Sequence, residues 1–209
     1  MTSLTSNVNI RRITPDSLMT LEAYAKVRQE FRAQMIAHKK NRKVHLGEHV
    51  TLMFEDELTV RYQIQEMLRV EKIFEEAGIL DEVEAYGSLL PDGSNWKATM
   101  MIEFTDPVER AARLKELVGI ADRVYVKVGH NDLVYAIADE DLERDTEEKT
   151  ASVHFLRFEL ARDLVAGLKD GAPLSMGIDH PAYAVPAMPV THEVRNSLTN
   201  DLDTDWAAL

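Results

Sequence analysis

The chain has 209 residues, 45% hydrophobic and 29% charged, which suits a conventional hydrophobic core in one domain or in one domain with a small appendage. It contains no cysteine, which excludes disulfides, iron–sulfur clusters, thiolate zinc sites and cysteine nucleophiles. The net charge of −12 disfavours general nucleic-acid binding, because the average field repels phosphate backbones.

The N-terminal sequence predicts a flexible arm over residues 1–13. It lacks the apolar core of a signal peptide, and no apolar run in the chain reaches the length of a membrane span. We therefore expect a cytoplasmic protein with no membrane partner.

The first half of the chain predicts two helices with a strand or hairpin between them. Thr14-Pro15-Asp16 predicts the start of a long helix, because threonine can cap it and proline suits its first position; this helix should end near Lys40. The segment KVHLGEHVTLMFED predicts a strand or a hairpin bent at Gly47. The helical spacing in LTVRYQIQEMLRVEKIFEEAG predicts the strongest helix, with Gly78 at its end.

The stretch LLPDGSNWKATMMIEF combines a turn with a strictly alternating strand. One row of its side chains is apolar, and the other contains Asn95, Lys97, Thr99, Met101 and Glu103. The pattern is consistent both with a solvent-facing side of a sheet and with a binding site built on Asn95, Lys97 and Thr99.

The second half of the chain alternates between strands and short helices. It predicts, in order, a helix from Asp106-Pro107 to Gly119, a hairpin over 122–139, an acidic segment over 139–148, a strand in ASVHFLRFEL, a helix in ARDLVAGLKDG, a strand in LSMGIDHP, a proline-rich connection and a helix near 190–202. Short connections favour antiparallel pairing. We therefore predict a single α+β domain over 14–202, with a mainly antiparallel sheet, packed helices, a long N-terminal helix and a C-terminal helix, followed by an acidic tail at 203–209.

Imidazole and carboxylate side chains are the candidate metal ligands, and they suit iron, manganese or zinc. His45 and His49 lie about 13 Å apart along an ideal strand, so they could share one ion only across a bend. His154 lies on an apolar strand face, where it is either a core histidine bonded to the backbone or a carboxylate, or a ligand or proton-transfer group. The full set of candidates is His38, His45, His49, Glu66, His154, Asp179 and His180.

An enzyme acting on a small anionic substrate is a second hypothesis. Lys97, Arg69 and Arg157 would orient the anion, and His154 or Glu66 would transfer protons. A protein-interaction module without metal or pocket is a third hypothesis.

Several long segments resemble a bacterial family of unknown function. They are HKKNRKVHLGEHVTLMFEDELTVRYQIQEMLRVEKIF, LLPDGSNWKATMMIEF, ADEDLERDTEEKTASVHFLRFEL and GIDHPAY, and the resemblance covers about 14–202. It implies gene neighbours that encode rubrerythrin-like proteins and an iron–sulfur reductase-like protein. The implied role is a cytoplasmic accessory protein in iron or oxidative-stress metabolism, which binds a metal or small ligand or docks a rubrerythrin-like or iron–sulfur redox partner. A homodimer is a candidate assembly.

Overall fold

The computed structural model describes residues 13–204, so the predicted arm and tail lie almost wholly outside the described residues. The chain divides into two compact units. The helical unit comprises residues up to 35 together with 57–90, and the sheet unit comprises 36–56 and the residues from 91 onward. Helices and antiparallel sheets confirm the predicted α+β class. Within residues 13–204, no helix combines the length and apolar character needed to cross a membrane.

The helical unit begins with a single 3₁₀ turn, Pro15–Ser17, and not with the predicted long helix. The chain then runs extended at Leu18, and helix α1 spans Leu21–Lys40, with its last residues in the sheet unit. The predicted end of α1 is therefore confirmed, whereas the predicted start is wrong. The amide of Gln65 explains part of the difference, because it donates to the Met19 carbonyl and accepts from the Met19 N–H, which holds the segment before α1 extended.

Two further helices, α2 (Glu57–Glu71) and α3 (Glu76–Gly87), complete the helical unit. The prediction that Gly78 ends α2 is wrong. Lys72 adopts a left-handed conformation with φ 55°, and the Ile73 N–H donates to the Leu68 carbonyl at 2.9 Å. This is a Schellman motif, and Ile73 packs in the same apolar cluster as Leu68, as that motif favours. Lys72 thus occupies the left-handed position after the helix end that glycine usually takes.

The sheet unit contains a five-stranded antiparallel sheet in the order β1-β2-β3-β7-β6. The first hairpin turns at Gly47, whose φ is +72°, as predicted. The alternating strand is β3, at the centre of this sheet. The strands are β1 (Lys43–Leu46), β2 (Val50–Glu55), β3 (Asn95–Ile102), β6 (Ile137–Ala138) and β7 (Val153–Glu159).

A second antiparallel sheet has the order β5-β4-β8-β9. The predicted hairpin over 122–139 forms only in its first part: β4 pairs with β5, but β6 pairs with β7 in the other sheet. The predicted proline-rich connection is wrong, because Pro186 and Pro189 lie in β9, an edge strand where a missing N–H is tolerated. The strands are β4 (Val124–Val128), β5 (Val134–Tyr135), β8 (Leu174–His180) and β9 (Tyr183–Pro189).

Three helices of the sheet unit share one hydrophobic cluster with both sheets. Helix α4 spans Pro107–Glu116 and starts at Asp106-Pro107, as predicted; the Asp106 side chain caps it by accepting from the Glu109 N–H. Helix α5 spans Arg162–Lys169, and α6 spans His192–Thr199. The cluster fixes β3 and β7 from one side, so that side chains on their other side form a surface of defined geometry.

Candidate functional site

The polar row of β3 lies on the face of the five-stranded sheet that is turned away from the shared hydrophobic cluster. We call this side the outer face. Asn95 is buried, and Lys97 and Thr99 are partly buried, so this is not a fully wetted surface. On the neighbouring strand β2, Glu55 is only 2% exposed. Buried polar groups of this kind require an explanation, because burial without partners costs free energy.

Strand register places two charged residues opposite Lys97 on the outer face. Glu55 of β2 pairs with Lys97 on one side, and Arg157 of β7 pairs with it on the other. Sequence reasoning proposed Lys97 and Arg157 together, but it missed Glu55. The alternation in β2 marks Glu55 as an outer-face residue, but only the register brings it to Lys97.

Arg157 is already neutralised by two carboxylates. Its Nε and Nη2 donate to Glu140 at 2.8 Å each, and its Nη1 donates to Glu159. The hydrogen bonds from Arg157 lower the pKa of Glu140 below its ordinary value. The arrangement leaves Arg157 little capacity to orient an anionic substrate.

Lys97 differs from Arg157, since its amine makes no hydrogen bond or ion pair with any other residue in the described range 13–204. Burial lowers the pKa of Lys97; the Glu140 carboxylate partly opposes this shift, and Arg157 adds to it. Thr99 donates to the Glu55 carboxylate at 2.9 Å, so the hydroxyl beside Lys97 is directed toward β2. A partly desolvated amine with a lowered pKa is the state in which lysine is nucleophilic.

His154 lies on the opposite face of the sheet, in the core, and is fully buried. Its Nδ1 lies 2.6 Å from the Asp139 carboxylate, and its Nε2 lies 2.8 Å from the Thr150 hydroxyl and 3.0 Å from the Ala151 carbonyl. The structure thus shows a core histidine bonded to a carboxylate and to the backbone. It cannot transfer protons to Lys97 directly, because the sheet separates the two side chains.

The acidic segment 139–148 is organised around this histidine. Asp139 also accepts from the Phe155 N–H at 3.0 Å and has a positive φ of 52°. Asp145 accepts from the Thr150 hydroxyl and, at 2.7 Å, from the Gly119 N–H. Asp139 and Asp145 therefore bind this segment to β7 and to the turn that follows α4.

Glu66 and Arg69 lie in the helical unit, and the predicted ion pair between them forms at 3.3 Å. Glu66 also accepts from Tyr24 at 2.6 Å and from Arg28 at 2.7 and 2.8 Å. The bonds from Arg28, aided by those from Tyr24 and Arg69, lower the pKa of Glu66 to about 2 despite burial. A carboxylate held ionised in this way does not exchange protons near neutral pH. The buried Nε of Arg69 has no partner within residues 13–204.

The other predicted metal ligands have separate protein partners. His38 contacts Asp56 at 2.6 Å, and His45 contacts the Thr51 hydroxyl at 3.1 Å. His49 contacts the Glu103 carbonyl at 3.0 Å and stacks on Phe104.

The two candidates at the end of β8 also have partners. Asp179 accepts from Tyr135 at 3.2 Å. His180 is bound by the Val118 carbonyl and the Ala182 N–H. Within residues 13–204, no three histidine, aspartate or glutamate side chains are grouped so that they could hold one ion.

No curated protein matches this chain. A solved structure from Burkholderia pseudomallei K96243, described as a novel protein of unknown function, is 58% identical to it. The match covers 92% of this chain and 100% of that one, with a TM-score of 0.88. A family model described as "Protein of unknown function (DUF3501)" matches residues 12–202, in agreement with the resemblance seen in the sequence. The chain therefore belongs to this family of unknown function.

Proposed function

We propose that the protein is an accessory protein that binds a small carbonyl compound, an aldehyde or ketone, through the amine of Lys97. The observation that carries the proposal is the placement of Lys97. Its amine lies on the partly buried outer face, has no partner among the described residues and stands between Glu55 and Arg157. Its side chain is partly buried, and this burial lowers its pKa below the ordinary lysine value.

The chemistry follows from the amine. An unprotonated amine attacks a carbonyl carbon, and loss of water gives an imine. Burial favours the unprotonated form. Glu140, whose charge acts on Lys97, and Glu55, its cross-strand neighbour, are carboxylates that could accept or return the protons of these steps.

A neutral carbonyl compound suits the outer face better than the small anion of the second sequence hypothesis. Arg157 and Arg69, which were expected to orient the anion, are both paired with glutamates. An incoming anion would have to compete with those glutamates and would meet Glu55 opposite Lys97.

The setting of the proposal comes from the family resemblance. It implies the cytoplasm, iron and oxidative-stress metabolism, and a rubrerythrin-like or iron–sulfur protein as redox partner. Carbonyl compounds are products of peroxide-driven oxidation, so a carbonyl-reactive lysine is compatible with that setting.

The test is reductive trapping on the full chain. The protein is incubated at neutral pH with propanal and cyanoborohydride, which reduces an imine to a stable secondary amine, and each lysine is quantified by peptide mass spectrometry. We expect Lys97 to be modified first, because its lowered pKa leaves more of the reactive amine at neutral pH.

Lys127 is the matched control, since it is also a partly buried lysine within a strand. The Lys97→Arg variant keeps the charge and should lose the fast-reacting fraction, whereas Lys127→Arg should keep it. Modification of Lys97 no faster than that of Lys127 would contradict the proposal.

A further inference from the structure

The helical unit contains a cavity of about 490 Å³, a volume within the range of small-molecule sites. It lies between the 3₁₀ turn, α2 and α3, and its described lining is mainly apolar. The lining residues are Ile13, Thr14, Pro15, Ile64, Leu80, Val83, Glu84, Gly87 and Leu90. None of the candidates from the sequence lies in this set.

Gly87 leaves this cavity open. It is the last residue of α3, and it is not among the glycines with positive φ, so the backbone does not demand glycine there. A Cβ added at Gly87 would meet no atom within 4 Å. Glycine also disfavours a helix relative to other residues. The absence of a side chain at Gly87 therefore leaves this part of the cavity unfilled.

Glu84 is the one charged residue in the described lining of the cavity. Helix α3 has the sequence EAGILDEVEAYG, with four acidic residues and no lysine or arginine. Glu84 lines the cavity and is also exposed to solvent, so a cation paired with it would stay in contact with water. Glu84 makes no hydrogen bond or ion pair with any other residue that the structure describes.

We propose that this cavity binds a small organic amine, with an alkyl or aryl body against the apolar lining and the ammonium group at Glu84. The apolar body gains from leaving water. The ammonium gains from the acidic rim and remains partly hydrated there. This site is independent of Lys97, and it selects a cation where Lys97 selects a carbonyl group.

Filling the cavity is the first test. The Gly87→Leu variant of the full chain should have a melting temperature equal to or above that of the wild type, because leucine favours the helix and meets open space. It should also lose binding of phenylbutylamine in isothermal titration calorimetry. A fall in the melting temperature would show that another part of the chain or a second copy fills the space, and it would overturn the proposal.

Charge selection is the second test. Phenylbutylamine should bind the wild type roughly tenfold more tightly than phenylbutyrate, because the rim attracts the first and repels the second. Glu84→Gln should remove most of this preference, whereas Asp81→Asn, on the same helix but outside the lining, should retain it. Equal binding of amine and acid by the wild type would overturn the assignment of the ligand class.

Discussion

His154 and Lys97 lie on adjacent strands of one sheet, yet these two basic side chains differ in the face they occupy and in their hydrogen-bond partners. His154 is on the core face, and each of its ring nitrogens has a partner. Lys97 is on the outer face, and its amine has no partner within residues 13–204. The sequence reasoning ranked both as site candidates. Hydrogen-bond partners separate them, because a buried group with partners stabilises the fold, whereas a partly exposed amine without a protein partner is available for chemistry.

The partners of His154 also constrain which hydrogen bonds its ring makes. The Ala151 carbonyl can only accept, and the Thr150 hydroxyl proton is directed to Asp145, so Nε2 must carry a proton. Nδ1 lies 2.6 Å from the Asp139 carboxylate. The network therefore fastens the acidic segment to β7 through hydrogen bonds at both ring nitrogens.

Removal of the His154 imidazole should lower the unfolding free energy more than any other substitution in this comparison. His154→Ala removes the imidazole from the Asp139 carboxylate, which keeps Arg144 and the Phe155 N–H, and it opens a void in the core, so we expect unfolding free energy to fall by about 3–5 kcal/mol. Urea denaturation measures this loss. His130→Ala, at an exposed turn, should change stability by less than about 0.5 kcal/mol.

A loss below about 1 kcal/mol in His154→Ala would break the comparison, because the network would then not be structural. Elemental analysis of the same two proteins adds a separate readout. Stoichiometric metal that is present in the wild type and missing from His154→Ala would make His154 a ligand.

The parts of this contrast that sequence could predict are those set by local pattern. The period of two in β3 assigns Lys97 and Trp96 to opposite faces, and Asp106-Pro107 carries the cap of α4 within four residues. Both patterns depend only on neighbours along the chain, and the structure confirms both.

The parts that sequence could not predict depend on pairing. Nothing local to Glu55 or Arg157 indicates that they flank Lys97, since register is decided by which strands meet. The partners of His154 come from a polar segment that has no periodic pattern. Lys72 in a left-handed conformation and Pro186 in an edge strand follow from tertiary context that overrides residue preference.

Asp201 extends the comparison. Its side chain is 9% exposed and paired with Arg42, yet its ionised form is poorly stabilised. It lies 2.5 Å from the Arg42 guanidinium, but burial raises its pKa to about 6, and Asp56 adds to the shift against the opposing charges of Arg42 and His38. The folded state therefore holds this proton more tightly than the unfolded state, whose pKa is 3.8.

Stability should fall as pH rises through this window, from about pH 4 to about pH 6, by up to about 3 kcal/mol from Asp201 alone. Asp201→Asn should remove that slope in urea denaturation measured across the range. Asp132→Asn, at an exposed turn position, should leave the slope unchanged. An unchanged slope in Asp201→Asn would show that the folded state does not hold the Asp201 proton more tightly than the unfolded state.

Substitution of Lys97 should change the unfolding free energy least, and it should raise this free energy, whereas His154→Ala lowers it. Burial lowers the pKa of Lys97, so at neutral pH the charged ammonium costs the folded state free energy. Lys97→Met keeps the length of the side chain and removes that charge, and we expect a gain of about 0.5–1 kcal/mol. The gain should shrink as pH rises toward 10.5, because the unfolded lysine then also loses its proton. Urea denaturation near pH 7 and pH 10 tests both points. A loss of stability in Lys97→Met at neutral pH would mean that the ammonium is held by a favourable contact, and Lys97 would then join His154 as a structural residue.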